Sequence, residues 1–258
     1  MSVSTAREQF SVRALIATFL IAPATRIRRL CAHDLTCYRR AIVQSAIAYI
    51  RSAPLTYIYL FVLLITTWAL QTASAPVAHK LLVEQSTNLH DLGRNPVRVL
   101  VASAFWLTGS LELVLWLLLF SLVMAPVERW LGSLKTGLVF ALGHVGASLV
   151  TAAGLWLLVD VDLIERKVTH AVDVGASYGF VAVAALLIFR LHGRAKHLYV
   201  LALVGFLGIA AAWDQNFTAF GHIVALATGL AVAPLFVPKV AEAPETSPVS
   251  EHEPLAKP

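Results

Sequence analysis

Six stretches of this chain are too apolar to face water along their length. They cover residues 55–71, 110–126, 135–159, 175–189, 198–213 and 217–238. About twenty apolar residues in a helix cross the hydrocarbon of a bilayer, and shorter runs sit near that limit. Inside lipid each backbone N–H and C=O must be satisfied within its own segment, which leaves helices as the natural form for such runs. Only 14% of the residues are charged against 58% hydrophobic, where a soluble protein carries about a quarter charged. The expected fold class is an all-α membrane protein, a bundle of six transmembrane helices.

Three regions follow from the spacing. Residues 1–54 form an Arg-rich segment, 55–238 the six-span membrane domain, and 239–258 a tail rich in Pro, Glu, Ser and Ala that is expected to be disordered. The apolar patch from Ala14 to Ala22, followed by Pro23, has the look of a signal-peptide core. Cleavage there would leave the later arginines on the wrong side of the membrane, so it is read as uncleaved. Residues 41–50, apolar with arginines at both ends, suit a helix lying in the interface. Cys31 and Cys37 flank His33 at a spacing that fits no structural zinc pattern, and they are read as reduced thiols. Between the first two spans, a polar loop over 72–95 leads to a short apolar helix over 97–107.

Positive charge sets the orientation. Six spans put both termini on one side. That side holds Arg7, Arg13, Arg26, Arg28, Arg29, Arg39, Arg40, Arg51, Arg129, Lys135, Arg190, Arg194, Lys196, Lys239 and Lys257, fifteen in all. The other holds Lys80, Arg94, Arg98, Arg166 and Lys167, which is five. Both termini are therefore expected in the cytoplasm of a multi-pass protein of the cell membrane. The arginines accompany spans and are not interleaved with aromatics, so they speak for a lipid surface and against nucleic acid.

With this topology the fourth and sixth spans run in the same direction. Ser177, in Gly175-Ala176-Ser177-Tyr178-Gly179, and His222, in Phe220-Gly221-His222-Ile223, then share a depth near the outer face. Gly175 and Gly179 are four apart, as are Gly221, Ala225 and Gly229, and such small-residue stripes let helices approach closely in lipid. A serine and a histidine brought together form a nucleophile and its general base. The competing reading is a serine bonded back to its own helix within ordinary packing. No third residue that would orient the histidine is evident.

Three motifs now resemble one family. Glu128-Arg129-Trp130-Leu131-Gly132-Ser133 is similar to the Glu-x-x-x-Gly-Ser turn of rhomboid intramembrane proteases. Gly175-Ala176-Ser177-Tyr178 resembles their Gly-x-Ser-Gly motif, and Gly221-His222 with Gly229 resembles their Ala-His…Gly segment. The resemblance implies a rhomboid-like bundle with Ser177 as nucleophile and His222 as base. It also implies cleavage of membrane-anchored protein substrates near the outer face, without metal or cofactor.

Two departures stand against that pattern. Tyr178 replaces a glycine. The family's His-x-x-x-Asn pair, which supports the oxyanion, falls on Glu112 and Trp116. A protonated Glu112 near Ser177 could donate to the oxyanion, with Gly175 as a further supporting residue, an ionised one would repel it, and near the headgroups it would take no chemical part. His144 is expected in the half of the third span remote from Ser177, while His170 and Asp173 are placed to shape access. Two other readings are a rhomboid-like pseudoprotease that binds or escorts membrane proteins, and a small transporter using Glu112, His144 and His222. The transporter lacks the repeated halves such carriers show. A cysteine introduced in the 239–258 tail should be protected from an impermeant maleimide on intact cells; labelling from outside would overturn the orientation.

Overall fold

The computed structural model describes residues 35–213 and 217–237. The chain before residue 35, with Cys31, His33 and the Ala14–Ala22 patch, lies outside the described residues, as does the tail from 238. Every regular element described is a helix. An exposed helix, α1 (Leu35–Arg51), precedes the first span, α2 (Pro54–Thr72). The connection to the second span holds α3 (Ala75–Glu84), α4 (Leu89–Arg94) and α5 (Pro96–Ala102), the last extended by a 3-10 turn, Ser103–Phe105. We call this connection loop 1. The spans α6 (Ser110–Leu131) and α7 (Ser133–Asp160) follow. After a 3-10 turn at Arg166–His170 come α8 (Ser177–Arg190), α9 (Gly193–Trp213) and α10 (Thr218–Phe236).

Loop 1 is more helical than its polar composition suggests. Pro76 and Pro96 sit in first turns, where the missing N–H costs nothing. Asn88 caps α4, its side chain accepting from the Asp91 N–H at 2.9 Å. α1 also runs longer than the expected 41–50 and buries no residue, in keeping with a helix for the interface. Cys37 is disulfide-bonded, which corrects the expectation of reduced thiols.

The second span does not stop at Pro126. Proline lacks an N–H and its ring crowds the carbonyl four residues before it. The helix widens into a π-turn over Phe120–Met124 and then continues to Leu131. A π-turn pairs each carbonyl with the N–H five residues on, and for Ser121 that residue is Pro126. The orphaned Ser121 carbonyl is taken up by the Tyr49 hydroxyl of α1 at 2.6 Å. Thus the proline also fastens the interfacial helix to the bundle.

Glu128 pins the end of α6 that lies beside the start of α2. It is 2% exposed and accepts four hydrogen bonds: from the N–H groups of Leu55 and Thr56 at 2.8 Å, and from the hydroxyls of Thr56 and Ser133 at 2.7 Å. α2 has no side-chain cap of its own, so a carboxylate from another span satisfies its first-turn donors. Gly132 follows at φ 87°, a left-handed conformation that glycine adopts without steric cost, and it turns the chain into α7.

Among the described residues five helices are long and apolar enough to cross a bilayer, and α8 is a shorter apolar helix packed among them. Its 14 residues rise about 21 Å. Ten of them, from Tyr178 to Leu187, are buried. α7, α8 and α10 pack most extensively on one another, and α8 also meets α6 and α9. A helix enclosed by protein is not required to match the lipid thickness. The expected span at 175–189 is helical only from Ser177, and residues 171–176 lead into it outside any regular element. Loop 1 holds that chain: the Thr87 N–H donates to the Asp173 carbonyl at 3.0 Å, and the Gly175 N–H to the Ser103 carbonyl at 2.8 Å.

Removing the acceptor at Glu128 leaves buried donors without partners. Glu128→Ala is expected to cost about 3 kcal/mol, read as a lower midpoint of unfolding in detergent. Glu128→Gln, which keeps one accepting oxygen, should fall in between. A wild-type midpoint for Glu128→Ala would show that α2 is anchored elsewhere.

Candidate active site

The candidate residues gather where α8 begins. Ser177 is the first residue of α8, half-buried, two residues after Gly175, which loop 1 holds. His222 lies in the first turns of α10 and is also half-buried. Close backbone approach makes these two helices neighbours. A side chain at Gly229 would strike the Ala182 backbone, and one at Gly221 would strike the Tyr178 ring. Tyr178 meets Gly221, and Ala182 meets Gly229 further along, so the helices run in the same direction. Gly143 on α7 closes the other side, against Ala182 and the Tyr178 carbonyl.

Tyr178 occupies the centre of the group. Its ring is 3% exposed and meets His222 edge to face, with centroids 5.3 Å apart and planes at 74°. Its hydroxyl points to Asp173 Oδ1 at 3.4 Å, and Asp173 Oδ2 accepts from the Thr87 hydroxyl at 2.9 Å. The Asp173 N–H donates to Ser86 Oγ at 2.6 Å. Burial pushes the Asp173 carboxyl above its ordinary range, with the hydrogen bonds from Thr87 and Tyr178 working in the other direction. A small cavity adjoins this carboxyl, walled by Thr87, Asn88, Thr151, Asp173 and Phe217; Ser177 does not line it. Ser177 and His222 are not hydrogen-bonded to each other within the described residues.

A family model described as rhomboid-like protein matches residues 48–242. The chain belongs to the rhomboid-like family. No curated protein and no solved structure matches it. The rhomboid-like bundle is the fold expected from the three motifs, and each motif has a visible structural part. The Glu-x-x-x-Gly-Ser turn is the Glu128 anchor. The Gly175 and Gly221 motifs open the paired helices α8 and α10.

In this rhomboid-like protein the two departures around the serine fit each other. Where the family has Gly after the serine and Ala before the histidine, this chain has Tyr178 and Gly221. The Tyr178 ring lies where a methyl at 221 would sit. The bulk added on α8 is matched by the atoms removed from α10.

Glu112 stands elsewhere. Its Oε2 accepts from the Thr108 N–H at 2.9 Å and the Thr108 hydroxyl at 2.8 Å, and its Oε1 from Trp116 Nε1 at 3.3 Å. All three partners are donors, so the carboxyl serves as an acceptor for Thr108, just before α6, and for the Trp116 indole within it. This corrects the reading in which a protonated Glu112 donates to the oxyanion and agrees with the one in which it takes no chemical part. Trp116 is buried and packs on Phe120 and Phe180, which makes it core.

His144 requires a second correction. It was expected in the half of its span remote from Ser177, yet its ring lies 6.4 Å from that of Tyr178 and its Nε2 is 3.0 Å from Ser103 Oγ. The start of α8 is sunk into the bundle, which brings it level with the middle of α7. His170 stands against His90 at the rim, centroids 4.7 Å apart, where α4 meets the Arg166–His170 turn. Ser86 and Thr87 were missed. The polar run Ser86-Thr87-Asn88 was their one signal, and it reads as ordinary loop until Asp173 is placed beside it.

Because Glu112 is used within α6, Glu112→Gln and Glu112→Ala are expected to behave alike, within about twofold, in any activity assay across pH 6–8. A large loss confined to the alanine variant would return Glu112 to the site.

Proposed function

We propose that this rhomboid-like protein is an intramembrane serine endopeptidase acting on membrane-anchored proteins, with Ser177 as nucleophile and His222 as general base. The observation that carries this reading is the packing of α8 on α10, which sets the His222 ring against Tyr178, the residue bonded to Ser177. Catalytic hydrogen bonds are often long or unformed in unliganded enzymes and close in the substrate complex. His222 takes the Ser177 hydroxyl proton as Oγ attacks a peptide carbonyl. The tetrahedral adduct collapses, the C–N bond breaks, and His222 returns the proton to the departing amine. Water, deprotonated in turn by His222, then hydrolyses the acyl-enzyme and frees Ser177. The N–H groups of the first turn of α8 have no helical partner, and their dipoles favour negative charge there. They would carry the oxyanion that the usual second-span pair does not serve here. The substrate must unwind near the membrane surface, because a stable helix hides its peptide bonds.

A second reading, a non-hydrolytic partner of membrane proteins, is favoured by one observation. The positions of the family's oxyanion pair are taken by a helix-end carboxylate and a core tryptophan. Removing an oxyanion donor costs about a hundred- to a thousandfold in rate.

Labelling by a fluorophosphonate and cleavage of a membrane-anchored reporter separate the two. Ser177→Ala and His222→Ala are each expected to abolish both while the protein still folds. The double variant should be no worse than either single, because the pair acts as a unit. A reporter cut equally by wild type and Ser177→Ala would end the protease reading. A wild type silent toward both probes would favour the second.

A further inference from the structure

We propose that Ser103 and His144 are a positioning pair for the N–H groups that open α8, the groups assigned above to the oxyanion. This rests on the serine–histidine reaction proposed above. Ser103 stands where three pieces of the chain meet. It opens the 3-10 turn of loop 1 and is fully buried. Its Oγ lies 3.0 Å from His144 Nε2 of α7, and its carbonyl accepts from the Gly175 N–H at 2.8 Å. One residue thus ties loop 1 to a span through its side chain and to the chain entering α8 through its backbone. Both side chains of this second serine–histidine pair are buried, so it meets no substrate.

The aim of the first N–H groups of α8 is set by the backbone at Gly175. Its φ of 138° is a conformation that favours glycine, and it stands two residues before Ser177. α8 has no side-chain cap, so its first-turn donors are left for a ligand and take their direction from the chain before them. α7 supplies the common reference. His144 holds Ser103, and the neighbouring Gly143 lets α7 approach α8 so closely that a Cβ there would lie 2.1 Å from that of Ala182. Loop 1, the entering chain and α8 are thereby all referred to one helix. An oxyanion donor works by being aimed before the charge develops, and a misplacement of about 1 Å costs about a hundredfold. Satisfying a buried histidine needs only a hydroxyl. Here the serine that supplies it also holds the residue from which α8 starts.

The test uses the full-length protein in detergent. It reads kcat and KM for a membrane-anchored reporter, the rate of fluorophosphonate labelling, and the midpoint of thermal unfolding. Ser103→Ala and His144→Leu each remove one half of the contact. Each should lower kcat and labelling roughly tenfold to a hundredfold with KM within about twofold, the mark of an interaction that acts in the transition state. His144→Gln puts an amide near the place of Nε2 and should recover most of the rate, while His144→Asn, whose amide falls short, should not. The double variant Ser103→Ala/His144→Leu should be no slower than the slower single, because the two residues share one contact. Thr136→Val is the control. It removes another hydrogen bond of α7, from Oγ1 to the Gly132 carbonyl at 3.0 Å, and should leave kcat and labelling unchanged.

Wild-type kcat and labelling in Ser103→Ala and His144→Leu, with only the midpoint lowered, would make the pair a structural fastener and overturn the inference while leaving the dyad intact. If those variants do not fold, His144→Gln against His144→Asn decides, and equal rates overturn it. A wild type that neither cleaves the reporter nor takes the label removes the dyad, and this inference with it.

Discussion

Ala182 is met on both sides by backbone that carries no side chain. Gly143 of α7 and Gly229 of α10 each leave no room for a Cβ there. In lipid, apolar surface gains little by leaving its solvent, so helices associate through close van der Waals contact and satisfied polar groups. Small residues at these points let α8 slot between its neighbours. Once enclosed, α8 is released from the length a lipid-facing span needs. Its short form and its sunken start follow, and residues 171–176 lead into it outside any regular element.

That sunken start brings the chemistry together. A full-length span would begin at the rim, level with His90 and His170. Starting lower, α8 sets Tyr178 beside His144 in mid-span and against His222 in the first turns of α10. The chain before it carries polar backbone into the bundle, and loop 1 satisfies it through Ser86, Thr87 and the Ser103 carbonyl. Loop 1 is held in turn by the Tyr59 hydroxyl on the Ala104 carbonyl and by Ser103 on His144. Ser86, Thr87, Asp173 and Tyr178 form one hydrogen-bonded group at this end, which lowers the cost of burying them in an apolar medium.

The other end is governed by Glu128 and Pro126. One carboxylate completes the start of α2 and fixes the turn into α7. One proline frees a carbonyl that Tyr49 collects. Arg129 also stands over the Tyr49 ring at 5.2 Å. Motif residues here are structural fasteners, while those at the start of α8 carry the chemistry proposed for the protein.

The helical class, the approximate positions of six apolar runs and the rhomboid-like family were legible in the sequence, because hydrophobic length and short motifs are local properties. So was the choice of Ser177 and His222 as the residues to ask about. What tertiary structure decided is how deep each residue lies and what it faces. Glu112 sits where a family residue would serve the oxyanion, yet Thr108 and Trp116 consume its oxygens, and only folded coordinates show those donors. His144 lies mid-span in any reading, but its nearness to Tyr178 depends on how far α8 sinks. Tyr178 and Gly221 look like separate departures along the chain, forty-three positions apart. They become one contact only when α8 and α10 lie side by side, because steric complementarity is a property of the pair and is written in neither residue alone.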